Sequence, residues 1–342
     1  MELPTFEVDV LVDLAARGAL SQIVGQPRGT SAVVVDLGDV DDAPRSNSLT
    51  AARFELASLP AVLIGVGSPG NHGAAVVDVV VESAAAAAEV AEHVHGHPLA
   101  AVALAMLLRN DDGRTIPAGL VAESSTYSML QAGPEFTSWR ARRRGAPPAE
   151  PRDDGDVRIQ FDGPVITVTL DRPSRHNALN THMLERLVDV LTETVQRAFA
   201  EPAITVVLRG AGPSFSSGGD VDEFGQFPDP ASAHVIRLSR SAGRLLAMIG
   251  DRTEARLHGY CLGAGVELPA FARTITADAD TTFGLPEIEL GLIPGAGGTV
   301  SLPRRIGRHR TALLAITGRR IDTVTALEWG LVDDVSRALA LE

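Results

Sequence analysis

HGYCLGAGVELP (258–269) and FGLPEIELGLIPGAGGT (283–299) are the stretches on which the reading of this chain turns. Each is a glycine-rich turn beside a predicted strand or helix, and each carries one carboxylate of a pair 20 residues apart, Glu267 and Glu287. Glycines let a backbone approach a ligand closely and let successive N–H groups point into one space. A helix starting near Gly263 would aim its free N–H groups and positive dipole end at an anion or oxyanion. Two acids beside such a polarising backbone site suit general acid/base work. PSFSSGGDVDEF (213–224) adds a third glycine turn upstream. Taken singly, each segment reads more simply as a tight turn whose acids cap or solvate a helix.

Working outward, VRIQFDGPVITVTLDRP (157–173) holds two β-rich runs around Asp162-Gly163, the pattern of a hairpin. A helix is predicted from Thr181 to Ala200, with Met183, Leu184, Leu187, Val188 and Leu191 on one face. ITVVLRG (204–210) reads as a buried strand. Strands alternating with helices predict an α/β layered fold. GAPPAEPRDDGD (145–156) interrupts every periodic pattern and reads as a linker. The expected organisation is therefore an N-terminal domain over 1–145, a linker over 146–156 and a core over 157–342. In the N-terminal part VDVLVDLAARG (8–18) predicts an amphipathic helix, and SAVVVDLGD, PAVLIGVG and AAVVDVVVES predict three strands. Helical patterns follow from Ala84 to Arg109 and from Leu120 to Arg144, the last ending in WRARRR (139–144), where cations favour a helix C-terminus.

Composition narrows the function classes. The chain has 342 residues and a formal net charge of −13, which disfavours nonspecific nucleic-acid binding through phosphate neutralisation. All 30 basic residues are arginine, so an anion must be held by Arg, His, backbone N–H groups or helix ends. Cys261 is the single cysteine, which excludes an intrachain disulfide and a cysteine-based zinc site; no metal is expected. No apolar run reaches membrane-spanning length, and MELPTFEVDV lacks the features of a signal peptide. A cytoplasmic protein without a membrane partner is expected.

In order and spacing the three glycine segments resemble the crotonase superfamily, the enoyl-CoA hydratases and isomerases. Its oxyanion-loop pattern matches Phe215-Ser216-Ser217-Gly218-Gly219-Asp220. Its second pattern matches His258-Gly259-Tyr260, Gly263-Ala264-Gly265 and Val266-Glu267-Leu268, and its third Phe283 to Glu287 with Gly291 to Gly298. Ile316-Thr317-Gly318 and Ala326 to Val332 match two later segments, so the likeness runs from about Val157 to Val335.

The resemblance implies a crotonase-like ββα spiral core and an acyl-CoA substrate, with no cofactor beyond the CoA that belongs to the substrate. It places the two thioester-binding N–H groups on Gly219 and Ala264. It places the acid/base pair on Glu267 and Glu287, and having both acids favours hydration or dehydration. Isomerisation, C–C hydrolysis or cofactor-independent oxygenation on the same oxyanion hole are the alternatives, with a non-catalytic CoA-binding protein behind them. Arg175, His176, Ser217, Asp220, Val221, Gly263, Gly265, Pro294 and Gly295 are the residues it brings to the substrate; the lysine that relatives often present to CoA phosphate has no counterpart, and Arg175 and His176 are read as its replacements. Asp222, Glu223 and Glu289 read as surface acids. Pro269 departs from the pattern, since relatives usually continue a helix there, and it fits only a helix that begins between Leu262 and Gly265.

Family chains usually extend well past the Gly-Leu-Val segment, whereas this one stops ten residues after Val332. Residues 91–144 look like the family's C-terminal helices placed ahead of the core. The strands before them then read as a degenerate core copy that lacks the glycine triplet and both glutamates. These helices are expected to cover the core, in a trimer or hexamer by family likeness.

Overall fold

Three runs of branched apolar residues in the first half become three neighbouring parallel strands. In this computed structural model residues 3–24, 31–38, 46–111, 113–143, 154–226 and 229–336 are described. The chain forms two compact units, one of residues 1–113 with 307–317, the other of residues 114–306 with 318–342.

In the first unit β1 (Thr5–Glu7) leads into α1 (Val8–Ala16) and α2 (Leu20–Ile23). Then come β2 (Ala32–Asp36), α3 (Ser46–Ser58), β3 (Val62–Val66), β4 (Val79–Val81), α4 (Ala84–Gly96) and α5 (Pro98–Arg109). The strands form one parallel sheet in the order β1-β2-β3-β4. The AVVVD and VLIGV strands are nearly continuously apolar because parallel strands are covered on both faces. Val33, Val35, Leu63, Leu11, Leu37, Leu56 and Val77 pack together as the core. A buried ion pair fastens its rim. Arg109 Nη2 meets Asp78 Oδ2 at 2.6 Å and also donates to Ala61 O at 2.8 Å, while Asp78 Oδ2 accepts the Leu63 N–H at 2.8 Å.

The second unit begins with α6 (Ile116–Gln131) and α7 (Pro134–Arg143), followed by β5 (Asp156–Asp162), β6 (Val165–Asp171), α8 (Thr181–Ala200) and β7 (Thr205–Gly210). Next are α9 (Pro230–Ser239), α10 (Ala242–Ile249), β8 (Thr253–Leu257), β9 (Tyr260–Leu262), α11 (Ala264–Glu267), β10 (Thr274–Asp278), β11 (Thr282–Gly284) and α12 (Gly298–Ile306). After α13 (Arg308–Thr317), which belongs to the first unit, β12 (Ile321–Asp322), α14 (Thr323–Trp329) and β13 (Asp334–Ser336) complete it. A six-stranded sheet runs β13-β10-β8-β7-β6-β5, and a three-stranded sheet runs β12-β11-β9. The hairpin read at Asp162-Gly163 is the antiparallel β5–β6 pair, with Val157 opposite Leu170. The remaining pairs of the large sheet are parallel. α8 spans the residues its periodicity predicts, and Asn180 caps it by accepting the Met183 N–H at 2.8 Å.

The division between units differs from the one the linker suggested. Residues 144–153, most of that linker, lie outside the described residues, and the boundary falls at Gly113 instead. Of the stretch 91–144, α6 and α7 belong to the second unit, where α6 packs against α9, α10 and α12. α4 and α5 stay with the first unit and pack against α13. The mixed α/β class is as expected. α3 is an element for which the sequence reading has no counterpart.

Candidate active site

The loop after β7 is pinned along one edge of the short sheet. Phe215 and Ser216 donate N–H to the carbonyls of His258 and Tyr260 at 2.8 and 3.0 Å, and Leu262 returns an N–H to Ser216 O at 3.0 Å. On its other side Leu179 donates to Gly218 O at 2.8 Å. Asp220 anchors the loop's end through a buried pair with Arg172 Nη1 at 2.7 Å. Each of these donors is satisfied, but the Gly219 N–H between them has no protein acceptor among the described residues.

From β9 the chain turns at Gly263, whose φ of +51° lies in the left-handed region open to glycine, and enters α11. α11 is a single turn. Pro269 has no N–H with which to extend it, and a 3₁₀ turn follows over Pro269–Phe271. At its start the Ala264 N–H, like that of Gly219, meets no protein acceptor among the described residues.

Three carboxylates close the site from other directions. Glu267, at the end of α11, is 2% exposed, and its Oε2 accepts the N–H groups of Ala296 and Gly298 at 2.7 and 2.8 Å. Glu287 opens the 3₁₀ turn after β11; it is 8% exposed, and its Oε2 is buried without a hydrogen-bond partner among the described residues. Glu123 comes from α6, is 2% exposed and accepts from Gly297 N, Thr299 N and Thr299 Oγ1 at 2.8, 2.9 and 2.7 Å. Burial pushes the Glu123 carboxyl up to about 7 against the pull of those three bonds. Burial, reinforced by the charge of Glu123, pushes Glu287 up to about 8. Burial, then the charges of Glu287 and Glu123, hold Glu267 well above the ordinary carboxylate range. These acids titrate as a set.

All three line one cavity of about 370 Å³, together with Gly219 and Ala264. Leu120, Tyr127, Leu179, Leu184, Ile236 and Leu238 give it apolar wall. Arg237 reaches it from α9, stacked over the Tyr127 ring at 4.5 Å and hydrogen-bonded to Ser124, Ser128 and Gln131 on α6. Two free N–H donors facing two neighbouring acids can polarise a carbonyl while a proton is moved beside it.

The family profile described as enoyl-CoA hydratase/isomerase matches residues 160–341, more than half of the chain. The chain belongs to the enoyl-CoA hydratase/isomerase family. A 2,3-dehydroadipyl-CoA hydratase of Escherichia coli is 37% identical over 172 residues, 50% of this chain and 65% of the relative, so the chain spans about two thirds of that relative's length. The solved enoyl-CoA hydratase of Thermoplasma volcanium is 34% identical with a TM-score of 0.48, covering 53% of this chain and 72% of its own. That of Bacillus anthracis is 32% identical with a TM-score of 0.46, covering 53% and 70%.

Within this family member the expected residues separate into two groups. Glu267, Glu287, Gly219 and Ala264 share the cavity wall, joined there by Asp220 and Gly295. Asp220 does so with its carboxylate committed to Arg172. The other expected substrate residues lie off this wall. Arg175 pairs with Asp222 at 2.7 Å, and His176 Nδ1 is 2.9 Å from Ser214 Oγ. Ser217 donates its N–H to His176 O at 2.8 Å. Val221 is half-buried and Pro294 buried away from it. Gly263 backs onto the Glu287 carboxylate, and Gly265 lies against Ser216 O, each where a Cβ would collide. Glu123, Tyr127 and Arg237 were not legible as site residues; the one available signal was an acid in a Gly-Leu-x-x-Glu helix otherwise read as cover for the core. No group of residues suited to hold a metal is found among the described residues, and no described helix is long and apolar enough to cross a membrane.

Proposed function

We propose that the chain acts on acyl-CoA thioesters as an enoyl-CoA hydratase or dehydratase. The observation that carries this reading is the convergence of two acceptor-free N–H groups, Gly219 and Ala264, with the carboxyls of Glu267 and Glu287 on one apolar cavity. The thioester oxygen accepts both N–H groups. One of the two acids, ionised, takes a proton from water as its oxygen bonds to C3; the C2=C3 electron pair moves toward the thioester, giving an enolate held by the N–H groups. The other acid, protonated, delivers its proton to C2. H and OH are thereby added across the double bond, and dehydration is the reverse. Burial suits this division, because an acid shifted toward neutrality can hold a proton at neutral pH. The unpartnered Glu287 Oε2 offers an acceptor for the water or the C2 proton. One oxyanion donor is worth on the order of 10²–10³ in rate.

CoA phosphates find arginine rather than lysine. Arg143 at the end of α7 and Arg175 converge on Asp222 at contacts of 2.5 and 2.7 Å, both side chains partly exposed. Arg143 lies over the Trp139 ring at 5.7 Å, and Trp139 meets at a tilt Phe224, which lines the cavity. The test is turnover of crotonyl-CoA and of a bulky aromatic or cyclic enoyl-CoA in ¹⁸O-water. Hydration places ¹⁸O on C3, whereas a migrated double bond without ¹⁸O would replace this reading with isomerisation. A trimer or hexamer is the assembly the family likeness suggests, checked by light scattering.

A further inference from the structure

The loop entering α12 presents four consecutive N–H groups, and they are shared alternately between two buried acids. Ala296 and Gly298 donate to Glu267, at 2.7 and 2.8 Å; Gly297 and Thr299 donate to Glu123, at 2.8 and 2.9 Å. Thr299 Oγ1 adds a third donor to Glu123 at 2.7 Å. The segment is thus held by both acids, which also sense one another's charge. Gly298 has no room for a side chain, since a Cβ there would lie 2.6 Å from Glu267 Cγ and 2.7 Å from its Oε2. A displacement of this loop therefore changes the donors that Glu267 receives. Glu123 sits on the residue ladder of α6, outside the family-matched segment 160–341.

We propose that Glu123 is a positioning residue for Glu267: it fixes the loop whose intervening N–H groups orient the Glu267 carboxylate. A helix preceding the matched core thereby completes the reaction centre. The charged and titratable groups facing Glu123 are Glu267 on α11, Glu287 after β11, Tyr127 on its own helix and Arg237 on α9, and the inference requires none of them to change partner. A plain alternative is that Glu123 only caps α12, favoured near a helix N-terminus by the dipole. The two differ in what the Glu267 carboxyl senses.

The inference deepens the hydratase reading and rests on it for its kinetic arm alone. In Glu123→Gln the side chain keeps its reach but turns an N–H₂ toward one of the loop donors. In the full chain this variant is expected to lower kcat about 10- to 100-fold, the range a displaced catalytic group produces, with KM changed less than about threefold. Difference infrared spectroscopy supplies an arm without turnover. The Glu267 carboxyl band, assigned by its loss in Glu267→Gln, should move in frequency in Glu123→Gln as the Ala296 and Gly298 donors withdraw. A folded Glu123→Gln with kcat within about threefold of the parent and an unmoved Glu267 band would overturn the proposal and leave a helix cap. Should that variant not fold, Thr299→Val removes one donor to Glu123 and keeps Glu123 itself. A shift of the Glu267 band supports the proposal, and an unmoved band overturns it. If the parent protein hydrates no enoyl-CoA, the hydratase reading fails, and the infrared arm decides this proposal by itself.

Discussion

Both units lead the chain from one buried parallel strand to the next through glycine turns, yet they close those turns differently. Between β3 and β4 the closure is a side-chain amide: Asn71 Nδ2 donates to Leu37 O at 2.9 Å, and its Oδ1 accepts the Gly73 N–H at 2.7 Å. The space beside Gly73 is taken by Val8 Cγ2, Asn71 Oδ1 and Leu37 Cδ2, at 2.8, 3.1 and 3.2 Å from where a Cβ would stand. Between β8 and β10 no such amide intervenes. There the space beside Gly263 is taken by the Glu287 carboxylate, and the Ala264 N–H is left without a protein acceptor. Buried backbone donors are nearly always paired. In the first turn the Gly73 N–H is paired within the protein, whereas the Gly219 and Ala264 N–H groups meet no protein acceptor among the described residues. The two turns thus differ in whether their N–H groups are spent within the protein.

The largest effect that would break this contrast is at the free donor. Ala264→Pro deletes an N–H, and activity with the best enoyl-CoA should fall by at least about 10² to 10³. Retained turnover would place the oxyanion donor elsewhere. Next, Glu267→Gln and Glu287→Gln should each lower kcat by at least about 10² while calorimetric binding of a non-reactive acyl-CoA stays within about threefold. Asn71→Ala, in the turn that closes on itself, should change kcat/KM less than about threefold. A comparable loss in Asn71→Ala would erase the distinction between the two turns.

Stability sharpens the comparison from the other side. Asp78→Ala strands the Arg109 guanidinium in the rim of the first unit, at a cost of about 3–5 kcal/mol by chemical denaturation. In the second unit Glu123, Glu267 and Glu287 are buried without a cationic ion-pair partner among the described residues, and their signature is pH dependence. Glu123 and Glu287, raised to about 7 and about 8, keep protons in the folded chain that the unfolded chain releases near 4.5. The folded state therefore binds more protons across that window, so their contribution is full below about pH 4.5 and is lost as pH rises to about 8. Melting temperature should fall from pH 5 to pH 8, and Glu287→Gln should flatten the fall. An equal slope in parent and variant would assign it to other groups.

Much of the fold was legible because its cues are local. The Asp162-Gly163 hairpin, α8 and the branched runs of β2 and β3 each announce themselves within about 20 residues. Glu267, Glu287, Gly219 and Ala264 were legible as a motif in order and spacing. Glu123 was not, because its partners Gly297 and Thr299 are 174 and 176 residues away and its own helix reads as ordinary cover. Arg175 and His176 read as available side chains because nothing local reveals Asp222 or Ser214 as their partners, 47 and 38 residues on. The boundary at Gly113 escaped the linker argument for the same reason. Proline and glycine mark where a chain stops being periodic, whereas a compact unit is defined by what distant helices bury.

The position of α13 has a consequence for how the protein is made. Arg308 and His309 at its start donate to or contact Val77 O, and Leu313, Leu314 and Ile316 are buried in the first unit. Arg308 follows Val77 by 231 residues. At roughly 5–20 residues per second, about 10–50 s of translation separate the two. Throughout that interval the nascent first unit waits with the surface of β4, α4 and α5 that α13 will cover still open to chaperones, and the ribosome must finish most of the second unit before the first can close.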